Sequence, residues 1–297
     1  MRIAIASMAS RPSEFSDDDR IVELLRARAV DASVEVWDDD RVEWRDFDLV
    51  VIRSTWDYAR RREEFFTWAD KVGDRLHNPV PLVRWNSDKR YLQDLDTAGL
   101  HVVETTYVDP GEPAPVIERD SVIKPTVSAG ARDTGRFGLD QIDQATKLIA
   151  AIGASGRTAM VQPYLPSVDS EGEIAIVFID GEPAHALRKR AVLRPGEIAP
   201  VRADPVGAAE AMYDPHLVRA ATATEAELES ATAVVAELAR RFAGVPLYVR
   251  VDQLHDNQGV PVVLEVEAVE PNLYFDQAPD SAHRFADAII ARGASLS

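Results

Sequence analysis

Arg250-Val251-Asp252, followed thirteen positions after Asp252 by Glu265-Val266-Glu267, is the stretch on which the reading of this 297-residue chain turns. Residues 246–254 and 260–267 read as two strands around the turn Asp256-Asn257-Gln258-Gly259, a hairpin. Side chains alternate across a strand, so Arg250 and Asp252 share one face and Glu265 and Glu267 share one face of the partner. Val249, Val251, Leu264 and Val266 then fall on a buried opposite face. Three carboxylates converge around one cation. Like charges opposed across a sheet destabilise it, and a hard divalent cation with oxygen ligands is the usual relief, which fits Mg²⁺. The same residues also read as an exposed face whose acids are simply solvated.

Outward from the hairpin, the composition is that of a globular protein: 46% hydrophobic and 28% charged, which excludes disorder or a fibrous repeat for most of the chain. The absence of cysteine excludes disulfides, thiolate metal sites, iron–sulfur clusters and cysteine nucleophiles. Thirty-three Lys and Arg against fifty Asp and Glu give a formal charge of −17, which disfavours nucleic acid and anionic membranes as partners while leaving room for a local basic pocket. The apolar run at residues 3–6 is too short for a signal sequence or a membrane span, so a cytoplasmic protein is expected.

The length suggests about two domains. Residues 2–7, Ser33–Trp37 and 46–53 read as strands, and Ser16 with Asp17, Asp18 and Asp19 caps a helix through Ile21–Leu25. This strand–helix–strand rhythm predicts a Rossmann-like α/β unit, with the polar loop Ser54-Thr55-Trp56-Asp57-Tyr58 at a strand's carboxyl end and a helix over 59–72. Asn78-Pro79-Val80-Pro81 marks a boundary, after which Asn86 is expected to cap a helix that Gly99 ends. Beyond it the chain reads as α+β, with short strands at 101–107, 121–124, 158–162, 173–180 and 183–189 and a helix at 140–152. Residues 191–222, with prolines at 195, 200, 205 and 215, suggest a long loop or lid before a helix near 224–242, and a last helix starts near 281. The chain has no G-x-S-x-G, Walker or dinucleotide-binding glycine motif, and its six histidines are scattered.

The order of the remaining motifs resembles that of the ATP-grasp ligases. The hairpin is similar to that family's metal-binding hairpin, and Asn86-Ser87-Asp88-Lys89 resembles the helix that opens the module with a phosphate-contacting lysine. Val122-Ile123-Lys124-Pro125 resembles the strand of the second nucleotide lysine, and Thr126–Thr134, with Ser128, Ala129 and Gly130, the small-residue loop over the phosphates. Gln162-Pro163-Tyr164-Leu165 resembles the hinge that holds adenine, Asp169 a ribose-contacting acid, and Leu264 the apolar floor beneath the base. Arg188 and Lys189 match cations aimed at the transferred phosphate, and Arg250 matches the arginine that stabilises the acyl-phosphate and the oxyanion.

The resemblance implies an ATP-grasp fold: a pre-ATP-grasp domain at 1–85 and a module at 86–297, divided near 160 into central and C-terminal parts. It also implies ATP and two Mg²⁺ ions on Asp252, Glu265 and Glu267, and activation of a small amino-acid-like carboxylate for attack by an amine-type nitrogen. Glu267 departs from the family's usual Asn and Gln162 from its usual Glu, and the 126–134 loop has fewer glycines than many members, so its closure is expected to lean on Arg132 and Asp133. Within the family the chain is most similar to the O-ureido-serine cyclo-ligases of cycloserine biosynthesis, through Arg53–Tyr58, Arg84-Trp85, Ser128–Asp133, Gln162–Tyr164 and Leu264–Glu267 with Glu270-Pro271. In the substrate loop, Arg53 is expected to meet a carboxylate, Asp57 an ammonium, and Trp56 to wall the pocket, with Ser54, Thr55 and Tyr58 beside them. Joining of two molecules and a nucleotide-binding regulator without turnover are the alternative functions, and a homodimer stays open.

Overall fold

Strand β1 (Arg2–Ser7) is buried over five of its six residues, and β3 (Leu49–Ile52) is buried throughout. Strands covered on both faces need no polar alternation, and here they form a parallel sheet in the order β2-β1-β3-β4 with β2 (Asp31–Val36) and β4 (Leu76–His77). Ile3 and Ile5 pack toward α1 (Asp18–Arg26), while Ala4 and Ala6 pack toward α2 (Arg62–Val72) and an aromatic cluster of Trp37, Phe65 and Trp68. The computed structural model describes residues 1–12, 16–201, 203, 206–214 and 216–295; Pro205 and Pro215 of the expected long loop lie outside them.

Helices α3 (Val80–Asn86) and α4 (Tyr91–Thr97) follow, so Asn86 ends a helix rather than capping the next one. Its amide is drawn elsewhere: Nδ2 donates to the Val266 carbonyl at 2.8 Å, and Oδ1 accepts from the Ala268 amide at 2.6 Å. Gly99, at φ 84°, does close α4. A second, antiparallel sheet runs β5-β8-β6-β7, from β5 (Thr106–Val108), β6 (Ser121–Pro125), β7 (Gly135–Phe137) and β8 (Ala159–Pro163), and α5 (Ile142–Ala154) covers it.

After a single turn, α6 (Ser167–Ser170), the third sheet is antiparallel in the order β11-β10-β9-β12-β13. Its strands are β9 (Glu173–Ile179), β10 (Glu182–Lys189), β11 (Val218–Ala221), β12 (Tyr248–His255) and β13 (Pro261–Glu267). Helix α7 (Glu225–Arg241) covers one face, opened by a capping box between Thr224 and Glu227. The other face is apolar at the end carrying Val177, Leu187 and Tyr248, where it joins the core under α1 and α8 (Pro279–Ala294). At its opposite end the same face carries the charges.

Between β10 and β11, residues 196–199 hydrogen-bond along β7 and Thr134, and the Ala209 amide donates to Gly130 at 2.7 Å. Val206, Ala208 and Met212 pack into the aromatic core of the first sheet. The segment thus lies over the 126–134 loop. Gly130 has φ +63°, and a Cβ there would meet the Cβ of Ala208 at 2.5 Å.

Buried polar side chains tie the sheets together. Asn78 donates to the carbonyls of Tyr248 (2.7 Å) and Ala268 (2.9 Å) and accepts the Leu247 amide (2.7 Å). The Tyr248 hydroxyl, fully buried, lies 2.9 Å from the Ile52 carbonyl and 2.8 Å from that of Val269. Tyr248→Phe keeps the ring but removes the one hydroxyl proton these two carbonyls share, so urea denaturation should show a loss of about 1–3 kcal/mol.

Candidate active site

Register assembles the site. Asp252 lies opposite Glu265 and Arg250 opposite Glu267, while on the neighbouring strands Ala175 faces Asp252 and Lys189 pairs with Glu173. Arg250, 3% exposed, donates Nε to Asp252 Oδ1 at 2.8 Å, Nη2 to Oδ2 at 2.9 Å and Nη2 to Glu267 at 2.5 Å. Lys189 reaches Asp252 at 2.7 Å and also pairs with Glu173. Lys89 bonds Glu265 at 3.0 Å and the Ser128 carbonyl at 3.0 Å, and Lys124 stands 3.9 Å from Glu265.

These charges tune one another. Burial opposes the charge on Asp252, but Arg250 and Lys189 outweigh it and hold the carboxyl below its usual range. Burial likewise opposes Glu265, and Lys89 and Lys124 win there too. Burial prevails at Glu267, at Glu173, pushed up to about 7, and at Glu270, pushed up to about 8 with Glu267 adding to it. Lys124 is pushed down by burial, while Asp252 and Glu173 lift Lys189 against the same penalty.

All of these side chains line one cavity of about 570 Å³. Ser128, Ala129 and Gly130 line it too, with Gln162, Pro163, Tyr164, Leu165 and Leu264, as do Trp56 and Tyr58 of the first unit. Leu264 arrives there because of a bulge. Strand register slips between Asp252 and Gln253, which lie opposite Glu265 and Val263, so Leu264 and Glu265 both border the cavity instead of facing opposite sides. Strict alternation had put Leu264 on the buried face.

Other expected residues stand apart. Arg188 neighbours Lys189 on β10, so the two point to opposite faces, and Arg188 pairs at 3.3 Å with the fully buried Glu227 of α7. It is absent from the cavity wall. Asp169 is also outside it, held 3.1 Å from Arg136, whose guanidinium stacks 3.5 Å over the Tyr164 ring. In the 53–58 loop only Trp56 and Tyr58 line the cavity. Asp57 is engaged by Trp37 at 3.0 Å and Arg61 at 3.4 Å, and Ser54 donates to the buried Asp18 at 2.8 Å. Thr55 is fully buried, and Arg53, 4% exposed, donates to the Pro271 carbonyl at 2.8 Å. Arg132 reaches the Val206 carbonyl at 3.5 Å, and Asp133 pairs with Arg157 at 2.7 Å.

Glu173 and Tyr274, which the sequence does not single out, also line the cavity, as does Glu270, which the sequence marks only as part of a shared motif and not as a site residue. Glu270 lies on a strap just beyond the hairpin where six successive carbonyls each take a side-chain donor. Asn78 donates to Ala268, Tyr248 to Val269, Trp56 to Glu270, Arg53 to Pro271, Arg250 to Asn272, and His185 lies 2.8 Å from the Leu273 carbonyl.

Asp252, Glu265 and Glu267 offer only oxygen donors, from facing positions on one side of the sheet, which suits a hard divalent cation. Among the described residues no three acidic or imidazole side chains already close on one point, since each of these carboxylates is turned to a lysine or arginine. Among the same residues, no helix is long and apolar enough to cross a membrane.

A family model described as the N-terminal domain of the D-cycloserine synthetase DcsG matches residues 3–78. The cycloserine biosynthesis protein DcsG of Streptomyces lavendulae is 35% identical over 97% of this chain and 97% of its own. The crystal structure of D-cycloserine synthetase DcsG matches with a TM-score of 0.88 at 32% identity, over 99% of this chain and 100% of that one. Two more distant structures share the fold alone. A D-alanine–D-alanine ligase from Bacillus anthracis complexed with ATP matches at TM-score 0.69 and 13% identity, over 100% of this chain and 98% of that one. The ATP-grasp ligase PsnB complexed with Mg and ADP matches at 0.60 and 18%, over 98% of each chain. Identity at this level over nearly the full length, with a matching structure, places the chain in the DcsG family, built on the ATP-grasp fold.

Proposed function

We propose that the protein is an ATP- and Mg²⁺-dependent carbon–nitrogen ligase that activates a substrate carboxylate as an acyl-phosphate and captures it with an amine-type nitrogen. O-ureido-D-serine, closed to a cycloserine-like ring with loss of ammonia and carbon dioxide, is the substrate that similarity to a cycloserine biosynthesis protein favours. The observation that carries the reading is the meeting of four buried cations, Lys89, Lys124, Lys189 and Arg250, with three oxygen ligands in one cavity.

Asp252, Glu265 and Glu267 would hold two Mg²⁺ ions, which neutralise phosphate oxygens during phosphoryl transfer. Lys89 and Lys124 supply point charges for the phosphates, beside a loop whose small residues permit close backbone approach. Gln162–Leu165 and Leu264 enclose the base. Arg250, fixed by a bidentate carboxylate pair, is preorganised to stabilise charge that develops on the carboxyl oxygen. Trp56 and Tyr58 bound the side where the amino acid would sit. By shielding this end of the cavity from water, they favour capture by the amine over hydrolysis.

Purified protein given ATP, Mg²⁺ and a panel of amino acids should release ADP and phosphate with O-ureido-D-serine or a close analogue. Binding of ATP with no turnover across the panel would overturn the ligase reading. Product mass separates the chemistries: lighter than the parent means ring closure, heavier means joining. Glu265→Gln should leave nucleotide binding measurable by calorimetry and cut kcat by about 100-fold or more. Lys189→Met should cost a similar factor. Arg188→Met, on the opposite face, should keep the kcat of the folded enzyme within about threefold and instead lower stability by about 3 kcal/mol, because it leaves Glu227 buried without its arginine.

A further inference from the structure

We propose that Glu270 is a catalytic residue that holds the attacking nitrogen and accepts its proton as that nitrogen joins the activated carboxyl; the assignment rests on the ligase reading above. It starts from which acids of the cavity are already engaged. Asp252, Glu173, Glu265 and Glu267 pair with Lys189, Lys89 and Arg250. Asp214 and Asp276 pair with Arg190 and Arg20, and Asp17 accepts the Phe275 amide. The Glu270 carboxylate borders the same cavity and, among the described residues, meets only its own backbone amide. Of the cavity acids only Glu270 and Asp17 lack a cation within 4 Å among the described residues, and Glu270 is the one that follows the hairpin's acids and is tied to Trp56, so it is the acid placed to take a ligand N–H.

Its placement suits that task. Glu270 lies three residues past Glu267 and borders the same cavity as Trp56 and Tyr58. Its backbone is fixed from the substrate side, with Trp56 Nε1 donating to its carbonyl at 3.3 Å and Arg53 to the next carbonyl at 2.8 Å. A carboxylate on a held backbone is oriented before the substrate arrives, which is where positioning lowers a barrier. In the step itself the nitrogen lone pair forms the C–N bond, and the C–O bond to phosphorus breaks with its electron pair leaving on orthophosphate. The N–H proton passes to Glu270 in its ionised form, which burial and the neighbouring Glu267 make a stronger proton acceptor than an ordinary carboxylate, and from there to solvent.

The role separates activation from capture, so the test measures both. With ATP, Mg²⁺ and the substrate that the panel identifies, ADP and C–N product are quantified together, with hydroxylamine added in parallel to trap activated carboxyl as hydroxamate. Glu270→Gln should lower product per ADP by about tenfold or more while hydroxamate per ADP stays at the wild-type level, and Glu270→Asp should recover part of the coupling. Trp56→Phe, which frees the Glu270 carbonyl but keeps the carboxylate, should uncouple in the same direction by a smaller factor, and it carries the test should Glu270→Gln not bind a non-hydrolysable ATP analogue. Unchanged product per ADP, parallel loss of ADP and product, or a shift confined to the Mg²⁺ requirement would each overturn the role of Glu270 and leave the ligase reading standing. A wild-type protein that releases no ADP with any amino acid would remove both.

Discussion

The site depends on how Arg250 is satisfied. A guanidinium 3% exposed must find partners for its donors inside the protein, and Arg250 places them on Asp252, Glu267 and the Asn272 carbonyl. Those three acceptors come from its own strand, the facing strand and the strap beyond it, so one side chain fixes the spacing of the hairpin's acids and the course of the chain that follows. The rest of the charge set follows the same logic. Asp252 needs a second cation and takes Lys189, which in turn draws Glu173; Glu265, opposite Asp252, is shared by Lys89 and Lys124. Each of the four buried cations is thus committed to at least one of these carboxylates, while Glu270, on the same cavity wall, has no cation within 4 Å among the described residues.

The strap from Ala268 to Leu273 shows the backbone side of this constraint. Carbonyls outside a ladder still need donors when buried, and here each donor is a side chain from a different part of the fold. Arg53 and Trp56 come from the carboxyl end of β3, Asn78 from just after β4, and Tyr248 and Arg250 from β12. The first sheet is thereby keyed to the charged face of the third. Two residues of the 53–58 loop that looked like substrate contacts belong to this key: Trp56 donates to the Glu270 carbonyl, and Arg53 lies 5.3 Å from the Tyr248 ring and donates to the Pro271 carbonyl.

Period-2 alternation made the hairpin legible, because Arg250, Asp252, Glu265 and Glu267 lie on regular strand at the face the pattern assigns. The same rule argues against aiming adjacent Arg188 and Lys189 at one phosphate, and the structure sends Arg188 to Glu227. Leu264 was less accessible to this reasoning, since a bulge depends on the partner strand and leaves no periodic mark. Asp57 was misplaced for a related reason: whether a loop acid faces a ligand or a neighbouring tryptophan depends on a contact twenty residues away. The short edge strands β7 and β11, of three and four residues, carry too few alternations to be seen. Glu270 lies where strand periodicity has ended, and its significance emerges only once the other acids are paired.

The formal charge of −17 argues globally against phosphate-bearing ligands, yet the cavity gathers lysines and an arginine at the place where a polyphosphate would bind. The two statements concern different distances. Exposed charges are screened over about 8–10 Å at physiological salt, whereas buried groups a few ångströms from a ligand act through a poorly screening interior. Lys89, Lys124 and Lys189 are each less than 10% exposed, so they set the field that a bound anion would feel, while most of the acidic surplus lies outside that range. Their own charges are already balanced by Asp252, Glu265 and Glu173, so a polyanion can displace part of that pairing only if cations replace it on the carboxylates. Binding of anion and divalent cation should therefore be linked through Glu265, the acid that Lys89 and Lys124 share.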